Sequence, residues 1–230
     1  KRTLELVDKY FGPLNNPSTI LNEVPTVEPA QDGEKRVELN RVGDLQLLMA
    51  LYHSPAGSDA DYSALTLVQN VLNDAPSGRL YKALVETQMA SNVYASNPFT
   101  KDPGFINFNV SVPSEKSLAD AEKTLLSVLD GLKDNPITSE ELKRARANIM
   151  KQLDQLSRNS GYMATYMSEF IGAGDWRLAF IHRDRVESTT VEEVNAAVQK
   201  YFIPTNRTIG NFIPTDKPER VEILHPEGVA

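Results

Sequence analysis

The chain has 230 residues, of which 40% are hydrophobic and 24% charged, a profile typical of an ordinary globular domain. It contains no cysteine, which excludes disulfides, thiolate metal sites and cysteine nucleophiles. The formal net charge is −7, so a nucleic-acid partner is not expected. No apolar run reaches the roughly 20 residues that cross a bilayer, so no membrane span is expected either.

The two ends of the chain differ from its centre. Apolar residues recur with a helical period over residues 1–12, and Gly12-Pro13 ends the pattern. Residues 13–33 are rich in Pro and Asn without periodicity, which predicts a linker. The first helix is therefore expected to close a preceding domain. Residues 216–230 are polar and contain prolines, and are expected to form a second linker or tail.

The main domain is expected over residues 34–215. Alternation at residues 37–39 and an apolar run at 45–52 predict two strand segments. Gly43-Asp44 lies between the two segments, so they are interpreted as a hairpin or as one bulged strand.

Further strands are predicted at 92–96, 104–112 and 207–213. In the second of these, apolar residues alternate with Asn and Ser, which indicates a sheet with one wet face and antiparallel pairing. The helical period predicts helices at 59–73, 77–88, 118–132 and 142–156. This order predicts an α+β fold, with a mostly antiparallel sheet and helices packed on one face.

Helix ends are marked by three further signals. Thr138 with Glu141, and Thr190 with Glu193, form capping-box patterns that predict two helix starts. Gly172-Ala173-Gly174 interrupts the helical pattern after them, and Asp175 is expected to cap a short helix that runs through His182.

Metal-binding and nucleophilic patterns are missing from the sequence. The three histidines are His53, His182 and His225, and no two of them are three or four residues apart. Neither H-E-x-x-H nor H-x-x-E-H occurs, and there is no G-x-S-x-G motif. We interpret His53 as a turn residue, His182 as part of a capped, salt-bridged helix end and His225 as a solvated tail residue. The sequence therefore predicts no catalytic residue, no metal site and no cofactor in this chain.

Five segments, spread in order over nearly the whole chain, carry a family resemblance. They are Lys9-Tyr10-Phe11-Gly12-Pro13, Tyr52–Ser58 with Asp61–Leu65, Ser77–Leu84, Pro136–Leu142 and Pro204–Thr208. Together they resemble the insulinase-like, or pitrilysin-like, zinc metallopeptidases. The resemblance implies a set of similar α+β domains that clasp a peptide in a closed chamber, with the inverted zinc motif in the first domain.

In that family a later domain supplies an Arg and a Tyr, seven positions apart, that help to hold the substrate or the transition state. The resemblance places these positions at Val85 and Asn92, so both assisting residues are missing here. The chain thus resembles a non-catalytic, substrate-enclosing domain of a zinc metalloendopeptidase. The resemblance implies that this domain is inactive alone and that the zinc ion lies in another domain. The implied partners are a peptide substrate and sibling peptidase domains, in the same chain or in a partner subunit.

The stretch Ser91, Asn92, Val93 and Tyr94 is the candidate for substrate contact, against the alternative that it simply begins a strand. A second hypothesis for the whole chain is a degenerate, peptidase-like interaction or scaffold subunit. The resemblance also favours a periplasmic location.

Overall fold

The computed structural model describes residues 1–15 and 28–217. The chain divides into two compact units, Lys1–Ala30 and Gln31–Ala230. In the first unit, helix α1 spans Arg2–Phe11, in agreement with the predicted first helix. Residues 16–27 of the predicted linker, and residues 218–230 of the predicted tail with His225, lie outside the described residues. No helix in the described ranges is long and apolar enough to cross a membrane.

The second unit is built on a five-stranded sheet with the order β1-β5-β2-β4-β3. The strands are β1 (Lys35–Val42), β2 (Gln46–Ser54), β3 (Asn92–Ser96), β4 (Gly104–Val112) and β5 (Arg207–Thr215). Three of the neighbouring pairs are antiparallel, and β1 runs parallel to β5. The predicted α+β class with a mostly antiparallel sheet is confirmed.

The two segments on either side of Gly43-Asp44 are separate strands, so the prediction of a hairpin or a single bulged strand was wrong. The C-terminal strand β5 lies between β1 and β2 and pairs with both of them. A two-strand pattern with a short connection favours a hairpin locally. Here the long-range pairing with β5 replaces that contact, and local patterning carries no signal for it.

In the described part of the second unit six α-helices connect the strands, and the buried side chains of the sheet face them. They are α2 (Ala60–Asn73), α3 (Leu118–Asp130), α4 (Ser139–Ser157), α5 (Ser160–Gly172), α6 (Leu178–Ser188) and α7 (Val191–Tyr201). The core between sheet and helices contains Leu48, Tyr52, Phe108 and Phe202 among its largest side chains. Helices α4 and α7 begin with the capping boxes predicted at Thr138 and Thr190.

The predicted helix at 77–88 is helical only over residues 79–85, and most of that segment is not α-helical. Residues Tyr81–Val85 form a π-helix, in which the Glu86 amide donates to the Tyr81 carbonyl. The turn that follows this segment ends at Gln88, a non-glycine residue with φ of 59°. Apolar spacing does not distinguish the wider π turn from an α turn over one or two turns.

Candidate functional site

Among the described residues of the second unit, one face of the sheet is left uncovered by the helices α2–α7. In β2, β3 and β4 the residues on this open face alternate with buried core residues, and Met49 lies opposite Gly210 on β5 and Asn109 on β4. Val37 on β1 continues the row, and Tyr94 on β3 ends it. A second row contains Leu39, Phe212, Leu47, Ser111 and Asn92.

The β1, β5 and β2 side of this face is apolar although it is exposed. Val37, Leu47 and Met49 have exposed fractions of 58%, 44% and 38%. With Leu39 and Phe212 they line a shallow groove of about 290 Å³, whose floor includes Gly210. Contiguous exposed apolar surface of this kind marks an interaction site more often than an isolated apolar residue does.

This groove was not predicted from the sequence, although the sequence carries a signal for it. The run from Leu47 to Tyr52 is apolar at nearly every position, so β2 presents apolar side chains to both faces of the sheet. A strand with only one buried face alternates instead, as β4 does.

The edge strand β3 borders the open face on the other side. It pairs with β4 along one side, and no strand in the described part of the chain pairs with its other side. The Gln69 side-chain amide donates to the Ala95 carbonyl at 3.0 Å, and the Tyr62 hydroxyl donates to the Asn97 carbonyl at 2.6 Å. Helix α2 therefore covers the C-terminal end of β3, whereas Asn92 and Tyr94 are exposed.

The four residues predicted to contact substrate divide between two surfaces. Asn92 and Tyr94 point to the open face, whereas Val93 is buried against the helices. Ser91 precedes the strand, and its amide donates to the Ser111 carbonyl at 2.9 Å. Asn92 and Tyr94 are thus the two side chains of the group that lie on the open face.

The resemblance expects an Arg at position 85 and a Tyr at position 92. The residues present, Val85 and Asn92, lie in different environments. Val85 belongs to the π-helix and packs against the core. Asn92 begins β3 and is exposed. The valine side chain has no polar atom to offer a substrate, so this pair supplies at most the Asn92 amide.

An ion-pair network around the buried Arg207 side chain anchors β5 at the centre of the sheet. The Arg207 guanidinium donates to Glu34, to Asp130 at 2.7 Å and to the Tyr52 hydroxyl at 3.2 Å. Burial raises the pKa of Tyr52 to about 12, even though the bond from Arg207 opposes this shift. Burial also favours the protonated form of Glu34, but the bonds from Arg207 and Arg36 outweigh it and lower the pKa of that carboxyl. The network holds β5 between β1 and β2, and with it the floor of the groove.

The two histidines in the described ranges have structural partners. His53 lies within β2, where its Nε2 is 3.2 Å from Gln31 Oε1, so it is a strand residue rather than the predicted turn residue. His182 lies in the middle of α6 and is partly buried, with its ring packed against Tyr62 of α2. The prediction that His182 belongs to a salt-bridged helix end was wrong, because α6 begins at Leu178 and continues to Ser188.

Within residues 1–15 and 28–217, the side chains form no site that could bind a metal ion or act as a nucleophile. No group of three or more His, Asp or Glu side chains there converges on a point where a metal ion could bind. The serine beside His182, Ser63, is 1% exposed and therefore inaccessible to a substrate. The residues described do not fit a zinc ion.

Comparison with known proteins identifies the family. A family model for the peptidase M16 inactive domain matches residues 1–149. The chain belongs to the peptidase M16 inactive domain family. This confirms the resemblance to the insulinase-like zinc metallopeptidases, and it makes the chain an inactive peptidase domain of the kind found in zinc-protease-like proteins.

Three relatives show how far the M16 similarity extends. The zinc protease PqqE of Helicobacter pylori is 25% identical over 218 residues, which are 90% of this chain and 48% of that protein. The crystal structure of an inactive peptidase domain from Bordetella parapertussis is 38% identical, with a TM-score of 0.69 over 80% of this chain and 99% of that one. A protease from Helicobacter pylori shares the fold, with a TM-score of 0.84 at 21% identity, over 93% of this chain and 52% of its own. This M16 chain therefore spans about half the length of the curated relative.

Proposed function

We propose that this domain is the non-catalytic half of a zinc metalloendopeptidase, and that its open sheet face forms a wall against which the peptide substrate lies. The observation that carries the proposal is the exposed apolar groove lined by Val37, Leu47, Met49 and Phe212. In this proposal a sibling domain, in the same chain or in a partner subunit, holds the zinc ion and cleaves the peptide.

The groove suits the side chains of an extended peptide. Successive side chains of such a peptide point to opposite sides, so every second one can be placed against an apolar surface. The edge strand β3 lies at the border of the same face, and extended peptides commonly bind by adding to an exposed sheet edge. Tyr94 and Asn92 lie on the open face at this edge, where they are positioned to contact the peptide.

The proposed contribution of this half is binding and orientation. Contacts with parts of the substrate distant from the cleaved bond hold that bond in the geometry that hydrolysis requires. Enclosure between two halves also excludes bulk water from the reacting groups. These contributions need no metal ligand or nucleophile in this chain.

The proposal is tested by measuring peptide hydrolysis with the zinc-containing half alone, with this chain alone and with both halves together. We expect cleavage to require both halves, with kcat/KM at least 100-fold above that of the zinc half alone, a scale set by positioning effects. Equal rates with and without this chain would overturn the proposal and would favour the interaction or scaffold role.

A photoreactive amino acid at position 94 provides a second readout. With the peptide present, we expect cross-links between this position and the peptide, because Tyr94 is 56% exposed on the open face. The same label at Tyr162, which is 68% exposed on α5, is the control and is expected to give none.

A further inference from the structure

The strand β1 forms one edge of the sheet and is open along its whole length. It pairs with β5 on its inner side, and no strand in the described part of the second unit pairs with its outer side. Every residue of Lys35–Val42 is exposed, and among the described residues of this unit no hydrogen bond to the β1 backbone lies outside the ladder with β5. The opposite edge differs, because helix α2 covers the end of β3. The outward N–H and C=O groups of β1 are therefore available to pair with a further strand.

The side chains that β1 presents to the open sheet face follow a regular order. Val37 and Leu39 line the apolar groove, and Lys35 and Arg41 flank them at the same two-residue spacing. Both flanking side chains are exposed, and neither has an ion-pair partner among the described residues of the second unit. This side of β1 thus presents an apolar pair between two cations.

The one carboxylate of β1, Glu38, lies between the two cations on the side of the strand that faces the helices. Arg36 is on that side too, but it already pairs with two carboxylates. The charges left to meet an added strand are therefore positive at Lys35 and Arg41 and negative at Glu38. Directly opposite side chains on two strands stabilise the pair when their charges differ in sign and destabilise it when they are alike. The edge favours a strand with two acidic residues six positions apart and a basic residue midway.

A second copy of β1 does not have this complementary pattern. Antiparallel overlap of residues 35–41 with themselves places Lys35 opposite Arg41 at both ends and Glu38 opposite Glu38 at the centre. All of these pairs are like charges, which destabilise that register. Charged side chains on edge strands commonly prevent such self-association. The same charges admit a strand of opposite pattern, so they select the occupant.

We propose that the outer edge of β1 binds an extended peptide segment in which two acidic residues, six positions apart, flank two apolar residues. The acidic side chains pair with Lys35 and Arg41, and the apolar side chains extend the row of Val37 and Leu39 on the open face. Backbone hydrogen bonds supply affinity that does not depend on sequence, and the side-chain pairs supply selectivity. This edge is on the opposite side of the sheet from β3, and the proposal does not depend on the function proposed for the open face.

Three heptapeptides, blocked at both ends, test the pattern. The matching peptide is Glu-Thr-Val-Lys-Val-Thr-Glu, which presents the same side chains to β1 in either direction. Lys-Thr-Val-Glu-Val-Thr-Lys reverses every charge, and Thr-Glu-Lys-Glu-Thr-Val-Val scrambles the order of the matching peptide. At low salt we expect the matching peptide to bind about fivefold to tenfold more tightly than either of the others, the effect of a few cross-strand charge pairs. The chain carries a net charge of −7, so unspecific attraction would favour the Lys-flanked peptide instead.

Amide hydrogen exchange, measured by NMR on ¹⁵N-labelled protein, locates the bound peptide. Saturation with the matching peptide is expected to slow exchange at alternate residues of Lys35–Val42, because every second N–H group of an edge strand points outwards. The amides of Asn92 and Tyr94 on β3 are the control and are expected to stay unchanged. Slowed exchange at β3 instead of β1 would overturn the proposal and would leave the function proposed for the open face intact. Protection of β1 that rises with protein concentration without peptide would overturn it in favour of a second copy.

Charge reversal at the two flanking cations provides a matched pair of variants. The double variant Lys35→Glu with Arg41→Glu is expected to exchange the preference, so that the Lys-flanked peptide binds about threefold more tightly than the Glu-flanked one. Both positions are exposed, so the fold is expected to stay unchanged. Lys143→Glu with Lys151→Glu, at exposed positions of α4, changes the net charge equally and should leave the preference as it was. An unchanged preference in the first double variant, equal binding of the matching and scrambled peptides, or no saturable binding would each overturn the proposal.

Discussion

The Nδ1 atom of His182 lies 2.9 Å from the hydroxyl oxygen of Ser63, at a partly buried contact between α6 and α2. The ring also packs against Tyr62, Phe99 and Phe170, so the imidazole is surrounded by aromatic side chains. This environment favours the neutral ring. The pair is therefore a packing contact between two helices, and its consequence is a dependence of stability on pH.

The pH dependence follows from the pKa of His182, which burial lowers from 6.5 to about 4. The unfolded chain takes up a proton at this residue as the pH falls below about 6.5, whereas the folded chain does so only near 4. The stabilisation is thus fully present above pH 6.5 and is lost as the pH falls through that interval. We expect His182 to contribute about 3 kcal/mol to the loss of unfolding free energy, measured by urea denaturation between pH 7 and pH 4.

His182→Asn is the variant for this measurement. It should lower the free energy of unfolding at pH 7, because it removes aromatic packing, and it should flatten the decline between pH 6.5 and 4. A decline as steep as that of the unsubstituted chain would show that other groups cause it.

The contacts of Glu141 at the start of α4 are expected to make the free energy of unfolding depend on pH. It accepts hydrogen bonds from Arg79 at 2.8 and 2.7 Å, and it completes the capping box with Thr138. The bond from Arg79 is the largest cause of a lowered pKa, about 2 in place of 4.5. Its stabilisation is therefore present above pH 4.5 and is lost as the pH falls towards 2.

The test compares Glu141→Gln with Glu140→Gln, which lies one residue earlier in the same turn and is 86% exposed at its side chain. Because Glu141 is partly exposed, solvent screening reduces the expected loss at pH 7 to about 2 kcal/mol. The difference between Glu141→Gln and the unsubstituted chain should shrink as the pH approaches 2. Glu140→Gln should have little effect at either pH, and equal effects of the two variants would contradict the assignment.

Replacing Arg207, at the centre of the sheet, is expected to lower the free energy of unfolding strongly. Its side chain is 5% exposed and is paired with Glu34 and Asp130. Arg207→Met removes the cation and leaves both carboxylates and the Tyr52 hydroxyl without it, so we expect a loss of about 3 kcal/mol in the free energy of unfolding.

Arg36→Met is the matched control for Arg207→Met. Arg36 also pairs with two carboxylates, Glu34 and Glu122, but its side chain is 55% exposed. Exposed pairs contribute little, so a loss below about 1 kcal/mol is expected. Similar losses from the two variants, measured by thermal or urea denaturation, would contradict the role assigned to burial.

A substitution at Gly210 is expected to change peptide binding without lowering the stability of the fold. A Cβ atom at this position meets only the Met49 Cβ within 4 Å, at an ordinary contact distance of 3.8 Å. Gly210→Val should therefore fold, and β-branched residues favour strands by up to about 1 kcal/mol over glycine. The added side chain fills the floor of the groove, so peptide hydrolysis by the assembled halves should show a higher KM.

Gly172→Ala controls for the loss of a glycine elsewhere. A Cβ there meets no atom within 4 Å, and the position is outside the open face. It should leave KM unchanged. A Gly210→Val variant with unchanged KM and full stability would argue against the groove as the peptide surface.

Several elements were predictable from local patterns alone. Strands β3 and β4 were predicted with the bounds that the structure has, because turn residues flank them and their side chains alternate. The capping boxes at Thr138 and Thr190 were predicted from spacing, since the reciprocal hydrogen bonds involve residues three positions apart. Asn92 and Tyr94 on the sheet edge were named from the sequence, and their role in substrate contact stays a prediction.

The sequence by itself determined the α+β class, the family and the shortage of metal-binding side chains, because these depend on composition, local spacing and motifs. Only the tertiary structure decided that β5 lies between β1 and β2, that His182 contacts Ser63, and that Val37, Met49 and Phe212 form one groove. Each of these arrangements brings together residues more than 100 positions apart, or brings together two strands that each pair with a third strand. Such contacts result from the burial of apolar surface over the whole domain, which local periodicity does not encode.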